Sequence, residues 1–542
     1  MSGALSTDVL IVGGGAGGCA AALAACEAGR RVILAEESPW IGGQFTSQGV
    51  PSDEHGWIEQ FGCTARYRRF RNSIREYYRS YYPLSHFARF HPYLNPGNGW
   101  VSPLCAEPRC VLAVLESMLE PHEVAGHLRI LRHHSIASLD VDRDRIRAAL
   151  LYDSETGVRR EIEARFFLDA SELGDILPLA GVEHVSGVES QAMTGEPGAP
   201  LQPEPRSMQA FTWCFAVDYL SDEDHTIERP RDYDFWRDYR PRLSPPWPGP
   251  LFQLAGLNPR TLAPVSYTFN PHGESGLAFS GLWTYRRLLD RMQFAPGSVA
   301  SDICLVNWPM NDYMEGDLLG SAVEYANHLH RAQQQSLSLL YWLQTEAPRP
   351  KGGYGWRGLR PRGDVLGTAT GLALRPYMRE SRRIRAIRTV TEVDVSAVHR
   401  SGATRAIHCR DSVGVGYYRI DLHPSTGGHN YIDVPALPFQ IPLGSLIPVR
   451  IENLLAAGKT VGVTHITNGC FRVHPVEWNI GEAAGALAAY CLHRGMVPRS
   501  VLAAPGDFQD MLSRQGVQLA WPAELNLNGG EPHVHAMPAR LL

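Results

Sequence analysis

The stretch DVLIVGGGAGGCAAALAACEAGRRVILAEE, residues 8–37, contains the pattern that decides the fold. An apolar run leads into Gly13-x-Gly15-x-x-Gly18, which is followed by an alanine-rich segment and by a second apolar run that ends at Glu36. This order predicts a strand, a glycine turn, a helix, a second strand and an acid, which together form a dinucleotide-binding unit. A bare glycine pattern is weak evidence, and the flanking elements make it specific.

The residues of this unit have separate physical tasks in holding a dinucleotide. Gly13 makes the tight turn, Gly15 lets the backbone approach a pyrophosphate, and Gly18 lets the helix and the strand pack closely. Ala16 and Gly17 lie at the helix N-terminus, where free N–H groups and the positive end of the helix dipole attract phosphate. We therefore predict that all five residues bind the cofactor.

An acid after the second strand completes the unit, and the complete unit occurs once. A carboxylate at Glu36 can accept hydrogen bonds from both hydroxyls of an adenosine ribose. Glu37 comes next and is also predicted to bind the cofactor. The glycine pattern recurs at Gly353, Gly355 and Gly358, but prolines precede it and neither a strand nor a helix flanks it. We interpret this copy as a loop, so a second, tightly bound nicotinamide domain is not expected.

Length, charge and cysteine use restrict the class of protein. A chain of 542 residues exceeds one compact core, so two or more domains are expected. The net charge of -5 provides no basic field for nucleic acid, and no apolar run is long enough for a transmembrane helix. The ten cysteines form no Cys-x-x-Cys pair, and no signal peptide precedes the motif. We therefore expect a soluble protein of the reducing cytoplasm, without a membrane partner.

Four features favour FAD over a nicotinamide cofactor, and the first two lie near the glycine motif. The motif stands at the start of a long chain. Gly42, Gly43 and Gln44 follow the acid closely, in a place where the backbone can pass a second phosphate and the ribityl chain of a flavin. These three residues are therefore predicted to bind FAD.

The other two features are buried strands far along the chain, each followed by small residues. One is RFFLDASELGD, and the other is ENLLAAGKTVG, which leads through a turn to an alanine-rich helix. We predict that this helix begins near residue 481 and directs its N-terminus at the N1–C2=O edge of the flavin. The residues assigned to the cofactor on these grounds are Asp169, Ala170, Gly458, Asn479, Ile480 and Gly481.

Together these segments resemble the glutathione-reductase-type FAD-binding superfamily, and within it the group called FAD-dependent oxidoreductases. The resemblance rests on GGGAGG, WIGGQ, LDASELGD and NLLAAGKTVGVTHITNGCFRVHPVEWNIGEAAG, and it covers residues 5–500. It implies a Rossmann-type fold and FAD, and it places Ser135 and Ile136 beside the adenine. The motifs are specific for FAD and not for a reaction, so the resemblance does not imply a substrate.

The predicted fold class is α/β, with a Rossmann-type FAD-binding domain assembled from discontinuous segments and a large inserted α+β substrate domain. We assign residues 1–60, 100–185 and 441–500 to the FAD-binding domain. Residues 186–440, rich in proline and aromatic residues, form the substrate domain, and residues 501–542 form a loosely structured C-terminal tail.

Local patterns predict further elements. Residues 320–347 have apolar side chains at helical spacing, and residues 385–400 alternate as a strand does. The arginine-rich stretch RYRRFRNSIREYYR also reads as a helix. Its apolar side chains at Tyr67, Phe70 and Ile74 follow helical spacing, which favours core packing over nucleic-acid binding.

Catalytic candidates are histidines and arginines near segments expected to face the flavin. His465 and His474 precede the alanine-rich helix, as a base or a pair that orients the substrate, although His474 before a proline can equally be structural. Arg379 and Arg382 form either a clamp for a substrate carboxylate or flavin oxygens, or part of a solvated strand. His55 is a weaker candidate for a base or a covalent flavin link.

Other candidates receive less weight. Glu477 is interpreted as either catalytic or paired with Arg472 in a structural ion pair. Cys470 is not expected to tether the flavin. His423 and His429 can enter the substrate cleft, but their spacing is weak for a metal site, so no metal is predicted.

The predicted function is that of a flavoprotein with non-covalent FAD that oxidises a small organic substrate by hydride transfer to flavin N5. Oxygen is one candidate acceptor for the electrons, and a place in secondary metabolism is plausible. The alternatives are an NAD(P)H-dependent flavin monooxygenase and a non-catalytic FAD-binding scaffold. The sequence leaves the substrate and the oligomeric state open.

Overall fold

The structure is a computed structural model that describes residues 5–272 and 280–525. Its strands, in chain order, are β1 Leu5–Val12, β2 Val32–Glu36, β3 Leu128–Arg132, β4 His134–Asp142, β5 Arg145–Asp153, β6 Arg159–Asp169, β7 His184–Val185, β8 Phe211–Thr212, β9 Phe215–Tyr219, β10 Ala255–Leu257, β11 Pro264–Ser266, β12 Arg287–Leu289, β13 Ile303–Val306, β14 Asp312–Tyr313, β15 Leu359–Pro361, β16 Arg383–Ile384, β17 Ser412–Gly416, β18 Ile420–Leu422, β19 Ile432–Val434, β20 Phe439–Pro442 and β21 Leu454–Ala456.

The helices span very different lengths. In chain order they are α1 Ala16–Glu27, α2 Ala65–Tyr81, α3 His86–Phe90, α4 Pro108–Val124, α5 Ile176–Leu179, α6 Gln191–Thr194, α7 Tyr233–Asp238, α8 Leu282–Tyr285, α9 Ala322–Thr345, α10 Gly363–Leu366, α11 Glu392–Val395, α12 His465–Phe471, α13 His474–Arg494, α14 Pro498–Ala503 and α15 Gly506–Arg514. None of the helices in this described part of the chain has the length and apolar character that crossing a bilayer requires.

The largest sheet joins three distant segments of the chain. Its order is β3-β2-β1-β6-β5-β4, and β21 pairs with β6 in addition. β1, β2, β3, β6 and β21 run parallel, whereas β4, β5 and β6 form an antiparallel meander. The long β6 bonds β5 along its first half and β21 along its second. The α/β fold class with a discontinuous Rossmann-type domain is therefore confirmed.

Small residues let helices α1 and α13 approach each other closely beside this sheet. A Cβ atom added to Gly481 would lie 2.0 Å from the carbonyl oxygen of Gly17, and one added to Gly485 would lie 2.2 Å from that of Ala21. The prediction that the last helix begins near Gly481 is wrong, because α13 begins at His474. Gly481 lies two turns inside the helix, where it serves close packing.

The inserted segment is built on its own sheet and on a long helix. β12-β13-β9-β15 form an antiparallel sheet, and the predicted helix is confirmed as α9, with a capping box between Ser321 and Glu324. The glycine copy near residue 355 forms a loop, as predicted. The strand expected over 385–400 is wrong, because Thr391 and Asp394 form a capping box that begins the helical turn α11.

Helix α2 is buried on more sides than its apolar pattern predicts. Tyr67 and Phe70 enter the core, as expected. Arg71 is also buried, and it forms ion pairs with Glu54 at 2.8 Å and with Glu59 at 2.7 Å. These carboxylates come from the loop that follows the glycine motif, so that loop and the helix are held together by buried charge.

The chain after residue 500 is more ordered than predicted. Helix α15 buries Phe508 and Leu512, and the ring of Phe508 lies 5.3 Å from that of Tyr490 on α13. The expectation of a loosely structured tail is therefore wrong for this part, since apolar residues at helical spacing find a surface to pack on. Residues 526–542 of the predicted tail lie outside the described residues.

Candidate active site

A cavity of about 630 Å³ lies at the carboxyl ends of the parallel strands β1, β2, β3 and β6. Ligands of open α/β sheets bind at this edge, and the volume is that of an ordinary ligand pocket. The predicted cofactor residues that line the cavity are Gly13, Gly15, Glu36, Glu37, Gly43, Ser135, Ile136 and Ala170. The structure thus brings residues between Gly13 and Gly43 of the first FAD-binding segment together with residues of the second segment.

The glycine turn presents bare backbone to this cavity. Gly13 has a φ of +99°, and a Cβ atom there would lie 2.2 Å from the carbonyl oxygen of Ala170. Gly15 is the N-cap of α1, and Ala16 begins the helix. The backbone N–H of Gly42 donates to the carbonyl oxygen of Gly14 at 2.6 Å, which holds the second glycine turn beside the first. The N–H groups at the start of α1 are therefore directed at the cavity.

Two backbone N–H groups hold the carboxylate of Glu36 in place at the edge of the cavity. Its Oε2 accepts a hydrogen bond from the N–H of Gly14 at 2.7 Å, and its Oε1 accepts one from the N–H of Ser38 at 2.8 Å. Each carboxylate oxygen has a further lone pair that can accept from a ribose hydroxyl. Burial raises the pKa of Glu36 to about 7, and the neighbouring charge of Glu37 adds to this shift.

A carboxylate that sequence reasoning did not single out lies over the glycine cradle. The Oε1 atom of Glu172 is 3.1 Å from the position that a Cβ atom on Gly15 would take, and 2.9 Å from the corresponding position on Gly43. Its Oε2 accepts from Lys459 Nζ at 2.8 Å. Glu172 follows β6 in the quoted stretch LDASELGD, so its place at the carboxyl end of a parallel strand was the available signal.

Lys459 joins two carboxylates beneath the cradle. Besides Glu172 it contacts Glu477 Oε2 at 3.0 Å, and this oxygen also accepts from Gln44 Nε2 at 2.5 Å. Burial lowers the pKa of Lys459, but the two carboxylates outweigh it and raise the pKa above its usual range. The predicted alternative pairing of Glu477 with Arg472 is wrong, because Glu477 pairs with Lys459 and Arg472 pairs with Asp421.

Several predicted cofactor residues are outside the cavity lining. Gly17 and Gly18 face inward, where a Cβ atom would lie 1.9 Å and 2.0 Å from carbonyl oxygens, so their role is close packing. Asn479 donates to the carbonyl oxygen of Val413 at 3.1 Å. The other residues in this group are buried and do not line the cavity: Ala16, Gly42, Gln44, Asp169, Gly458, Ile480 and Gly481.

The inserted segment supplies one wall of the cavity. Arg375 donates to Glu37 at 2.6 Å and to the hydroxyl of Tyr325 at 3.1 Å. Tyr325 lies in the first turn of α9, and both residues line the cavity. No spacing signal predicts this wall, because both residues are far along the chain from Glu37, Arg375 by 338 residues.

The two predicted histidines before α13 are buried and engaged. His465 Nδ1 lies 2.9 Å from Glu380 Oε1. Burial raises the pKa of Glu380, but the neighbouring His465 and Arg383 lower it to about 2. His474 Nδ1 accepts from the N–H of Asp53 at 3.0 Å, and burial lowers the pKa of His474 to about 3. His474 is therefore a neutral ring near physiological pH.

His55 lies in an aromatic cluster and outside the cavity lining. Its ring is 5.9 Å from that of Trp57 and 5.4 Å from that of Trp521. Its Nε2 atom is 3.2 Å from the carbonyl oxygen of Gly62. Burial lowers the pKa of His55 to about 4, so this contact orients a neutral ring.

The side chains of the two predicted arginines lie in different parts of the molecule. Arg382 lines the cofactor cavity and donates to the carbonyl oxygen of Leu173 at 2.9 Å. Arg379 points into the insertion, where its guanidinium lies 3.2 Å from Asp312 Oδ1. The two do not form one clamp, because Arg382 faces the cavity and Arg379 faces Asp312, and residues three apart in a strand would also face opposite sides.

A second polar cluster surrounds Asp312 in the insertion. Strands β8 and β14 pair Asp312 with Thr212, and the hydroxyl of Thr212 donates to Asp312 Oδ1 at 2.5 Å. The other carboxylate oxygen, Oδ2, lies 2.6 Å from Nδ1 of His423. The sequence pointed to His423 but not to its partner, which is 111 residues away.

Comparison with known proteins identifies the family. A family model described as FAD dependent oxidoreductase matches residues 8–512. The chain belongs to this family of FAD-dependent oxidoreductases. FAD is its cofactor, and the resemblance drawn from the sequence is confirmed. No curated protein sequence matches the chain.

Several solved structures of flavin enzymes are similar to part of this oxidoreductase. They include the flavin-dependent monooxygenase PieE in complex with FAD and substrate, at 14% identity over 40% of this chain and 35% of that one, with a TM-score of 0.24. CabE, an aromatic hydroxylase from angucycline biosynthesis, matches at 15% identity over 42% and 40%, also at 0.24. The p-nitrophenol 4-monooxygenase PnpA from Pseudomonas putida matches at 13% over 40% and 48%, again at 0.24. The match spans less than half of each of these chains.

The residues around the cavity fit FAD. The glycines leave a cradle that Cβ atoms would fill, next to the N-terminus of a twelve-residue helix. Glu36, Ser135 and Ile136, which the sequence assigns to the ribose and the adenine, line this same cavity. In the described ranges, no group of three or more His, Cys, Asp or Glu side chains is arranged to hold a metal.

Proposed function

We propose that this FAD-dependent oxidoreductase oxidises a small organic substrate, with FAD held in the cavity at the edge of the large sheet. The observation that carries the proposal is the convergence of the glycine turn, Glu36 and the Ser135–Ile136 strand on one cavity. When bound, FAD supplies a two-electron acceptor at its N5 atom.

The chain's own residues divide the binding between them. The backbone around Gly15 and Gly43 receives the diphosphate, and Glu36 receives the ribose. The wall from the insertion, with Tyr325 and Arg375, covers one side of the nucleotide site. The insertion is therefore the part of the chain that we propose to bind the substrate, next to the covered cofactor.

The polar residues behind this wall are suited to an oxidation. Tyr377 lies between two residues that line the cavity, Pro376 and Met378. Its hydroxyl accepts from Arg472 at 2.9 Å, and the guanidinium of Arg379 stacks on its ring at 4.8 Å. Buried cations next to residues that line a cofactor cavity can hold an anionic or polar substrate.

Anaerobic reduction of the holoenzyme tests the proposal. The protein is purified with excess FAD, freed of unbound cofactor, and mixed with primary alcohols, secondary alcohols, 2-hydroxy acids, amines and phenols. We expect loss of the visible flavin absorbance with at least one class, and its return when oxygen is admitted.

Two results would contradict this proposal. If the flavin is bleached only after NADPH is added, and oxygen uptake then depends on a phenol, the chain is a monooxygenase. If dithionite reduces the flavin but no organic compound or pyridine nucleotide does, the chain is an FAD-binding scaffold. Acid precipitation that leaves the flavin on the protein would disprove the non-covalent attachment.

A further inference from the structure

His423 and Asp312 form a pair whose members differ in exposure. The His423 side chain is 19% exposed and the Asp312 side chain 1%. His423 follows β18, and Asp312 begins β14, so both are held by strand ends. The pair therefore joins a buried carboxylate to a ring that solvent or a substrate can reach.

The surroundings of Asp312 determine which nitrogen of His423 carries the proton. Oδ1 of Asp312 accepts a hydrogen bond from the hydroxyl of Thr212 and forms an ion pair with Arg379 at 3.2 Å. Burial raises the pKa of Asp312, but Arg379 and His423 lower it below its usual range, so the carboxyl is ionised. An ionised oxygen at 2.6 Å from Nδ1 requires a proton on that nitrogen. Nε2 then has a free lone pair, as the base of a histidine–aspartate pair does.

His423 is neutral near physiological pH. Burial and Arg379 lower its pKa, and these effects outweigh Asp312 and Asp421, which raise it. The ring of Tyr431 packs against it at 5.6 Å, and the pKa of that phenol is raised well above its usual value, so it adds no charge. The lone pair of Nε2 is therefore available to accept a proton.

Contacts connect this pair to the cofactor cavity by two routes. Arg379, which holds Asp312, stacks on Tyr377, and the neighbours of Tyr377 on both sides line the cavity. Arg472 donates to the hydroxyl of Tyr377. The backbone carbonyl oxygen of Arg472 accepts a hydrogen bond from Gln44 Nε2 at 3.3 Å, next to the cradle. Arg472 also donates to Asp421, two residues before His423.

We propose that His423 is the catalytic base of the oxidation, that Asp312 is its positioning residue, and that the substrate carries a hydroxyl on the carbon to be oxidised. The inference rests on the proposed function. The O–H bond of the substrate breaks and its proton passes to Nε2 of His423. The adjacent C–H bond breaks and its hydride, with both electrons, passes to FAD, so that a C=O bond forms.

The first test needs no substrate. FAD-loaded enzyme is treated with diethyl pyrocarbonate, which acylates an accessible imidazole lone pair, and the modified peptides are quantified by mass spectrometry. We expect His423 to react, and D312N to slow its reaction about tenfold, because the amide can donate to Nδ1 and shift the proton to Nε2. No reaction at His423 in the wild type, or an unchanged rate in D312N, would overturn the proposal.

His429 provides a matched control in the same loop. Its Nε2 lies 2.7 Å from Glu204, and both side chains are well exposed. We expect E204Q to leave the acylation of His423 unchanged and D312N to leave that of His429 unchanged. If D312N slows the acylation of both histidines equally, the substitution has distorted the loop. The slower acylation of His423 is then not specific to its pair with Asp312, which contradicts the assignment of the proton to Nδ1.

The second test measures flavin reduction by the hydroxyl compounds that bleach the wild-type flavin. We expect H423N to lower the reduction rate about 100-fold or more while FAD content stays unchanged. In D312N the rate should fall and should lose the pH dependence that the wild type shows on the acid side. Equal rates in wild type and H423N would refute the base. If no compound bleaches the wild type, the proposed function fails, whereas the acylation result still decides the protonation state of His423.

Discussion

The cofactor cavity and the cluster around Asp312 are built by different means. At the cavity, the phosphate cradle is bare backbone, and Gly13 and Gly15 are needed because they lack a side chain. In the cluster, buried charged side chains hold one another, with Arg379 and His423 on opposite oxygens of Asp312. The glycine turn is formed by residues that are close together in the sequence. The cluster around Asp312 is formed by contacts between residues that are far apart in the sequence.

This difference predicts different responses to mutation. When a side chain enters a backbone cradle, ligand affinity falls before the stability of the fold does. A buried ion pair fails when one partner is removed, because the remaining charge is left without compensation in a low-dielectric interior. Stability and FAD affinity should therefore respond separately in the two regions.

Arg379→Met should have the largest effect on stability. It removes the guanidinium that contacts Asp312, whose side chain is almost completely buried, and we expect a loss of about 3–5 kcal/mol in the free energy of unfolding. FAD affinity of the folded protein should stay unchanged. Urea unfolding followed by circular dichroism and flavin fluorescence titration measure the two quantities.

An exposed arginine serves as the control for this variant. Arg357 is 72% exposed and lies 3.4 Å from Asp224, so Arg357→Met should cost less than about 0.5 kcal/mol. Weaker FAD binding in Arg379→Met would show that FAD affinity depends on the cluster around Asp312, and it would remove the contrast between the two regions.

Gly13→Ala should have the next largest effect, mainly on the cofactor. The added Cβ atom would meet the carbonyl oxygen of Ala170 at 2.2 Å, and the φ of +99° is unfavourable for alanine. We expect a loss of about 1–3 kcal/mol in stability and of at least about tenfold in FAD affinity. Gly506→Ala, at a position with open space around it, should change neither. Normal flavin content in Gly13→Ala would refute the cradle.

The same difference explains what the sequence could predict. The strands around the glycine turn and the acid Glu36 were predicted because a dinucleotide fold needs them at fixed spacing. The partner of His423 was not, because Asp312 is 111 residues away and Arg379 meets Thr212 across 167 residues. Such contacts depend on how the insertion folds back, which no local pattern records.

Two predictions were wrong although the sequence contained local signals for the correct structure. The glycine at 481 was interpreted as a helix start, whereas Pro475 in the first turn of α13 marks the true beginning. A glycine within a helix can also mark close packing, as it does against α1. The helix around Phe508 and Leu512 was missed, although the two apolar residues have helical spacing.

Glu172→Gln should strengthen FAD binding by about tenfold, or about 1.4 kcal/mol. The carboxylate of Glu172 lies over the cradle and occupies Lys459, so it both repels a diphosphate and withholds a cation from it. Titration with FAD and with ADP should show the same gain, whereas riboflavin should show none. Glu183→Gln, at a carboxylate paired with Arg450, is the control. Weaker binding of ADP in Glu172→Gln would contradict this role.

Tyr325→Phe should produce the smallest effect and tests whether the wall from the insertion belongs to the cofactor site. It removes only the hydroxyl that accepts from Arg375 at 3.1 Å, and Arg375 retains Glu37. We expect FAD affinity to fall by about 0.5–1 kcal/mol, or two- to fivefold, because the guanidinium loses one of two anchors. Tyr354→Phe, at an exposed tyrosine, should leave the affinity unchanged. If the two variants bind FAD equally well, the wall covers the nucleotide without holding it, and the cavity depends on its backbone cradle alone.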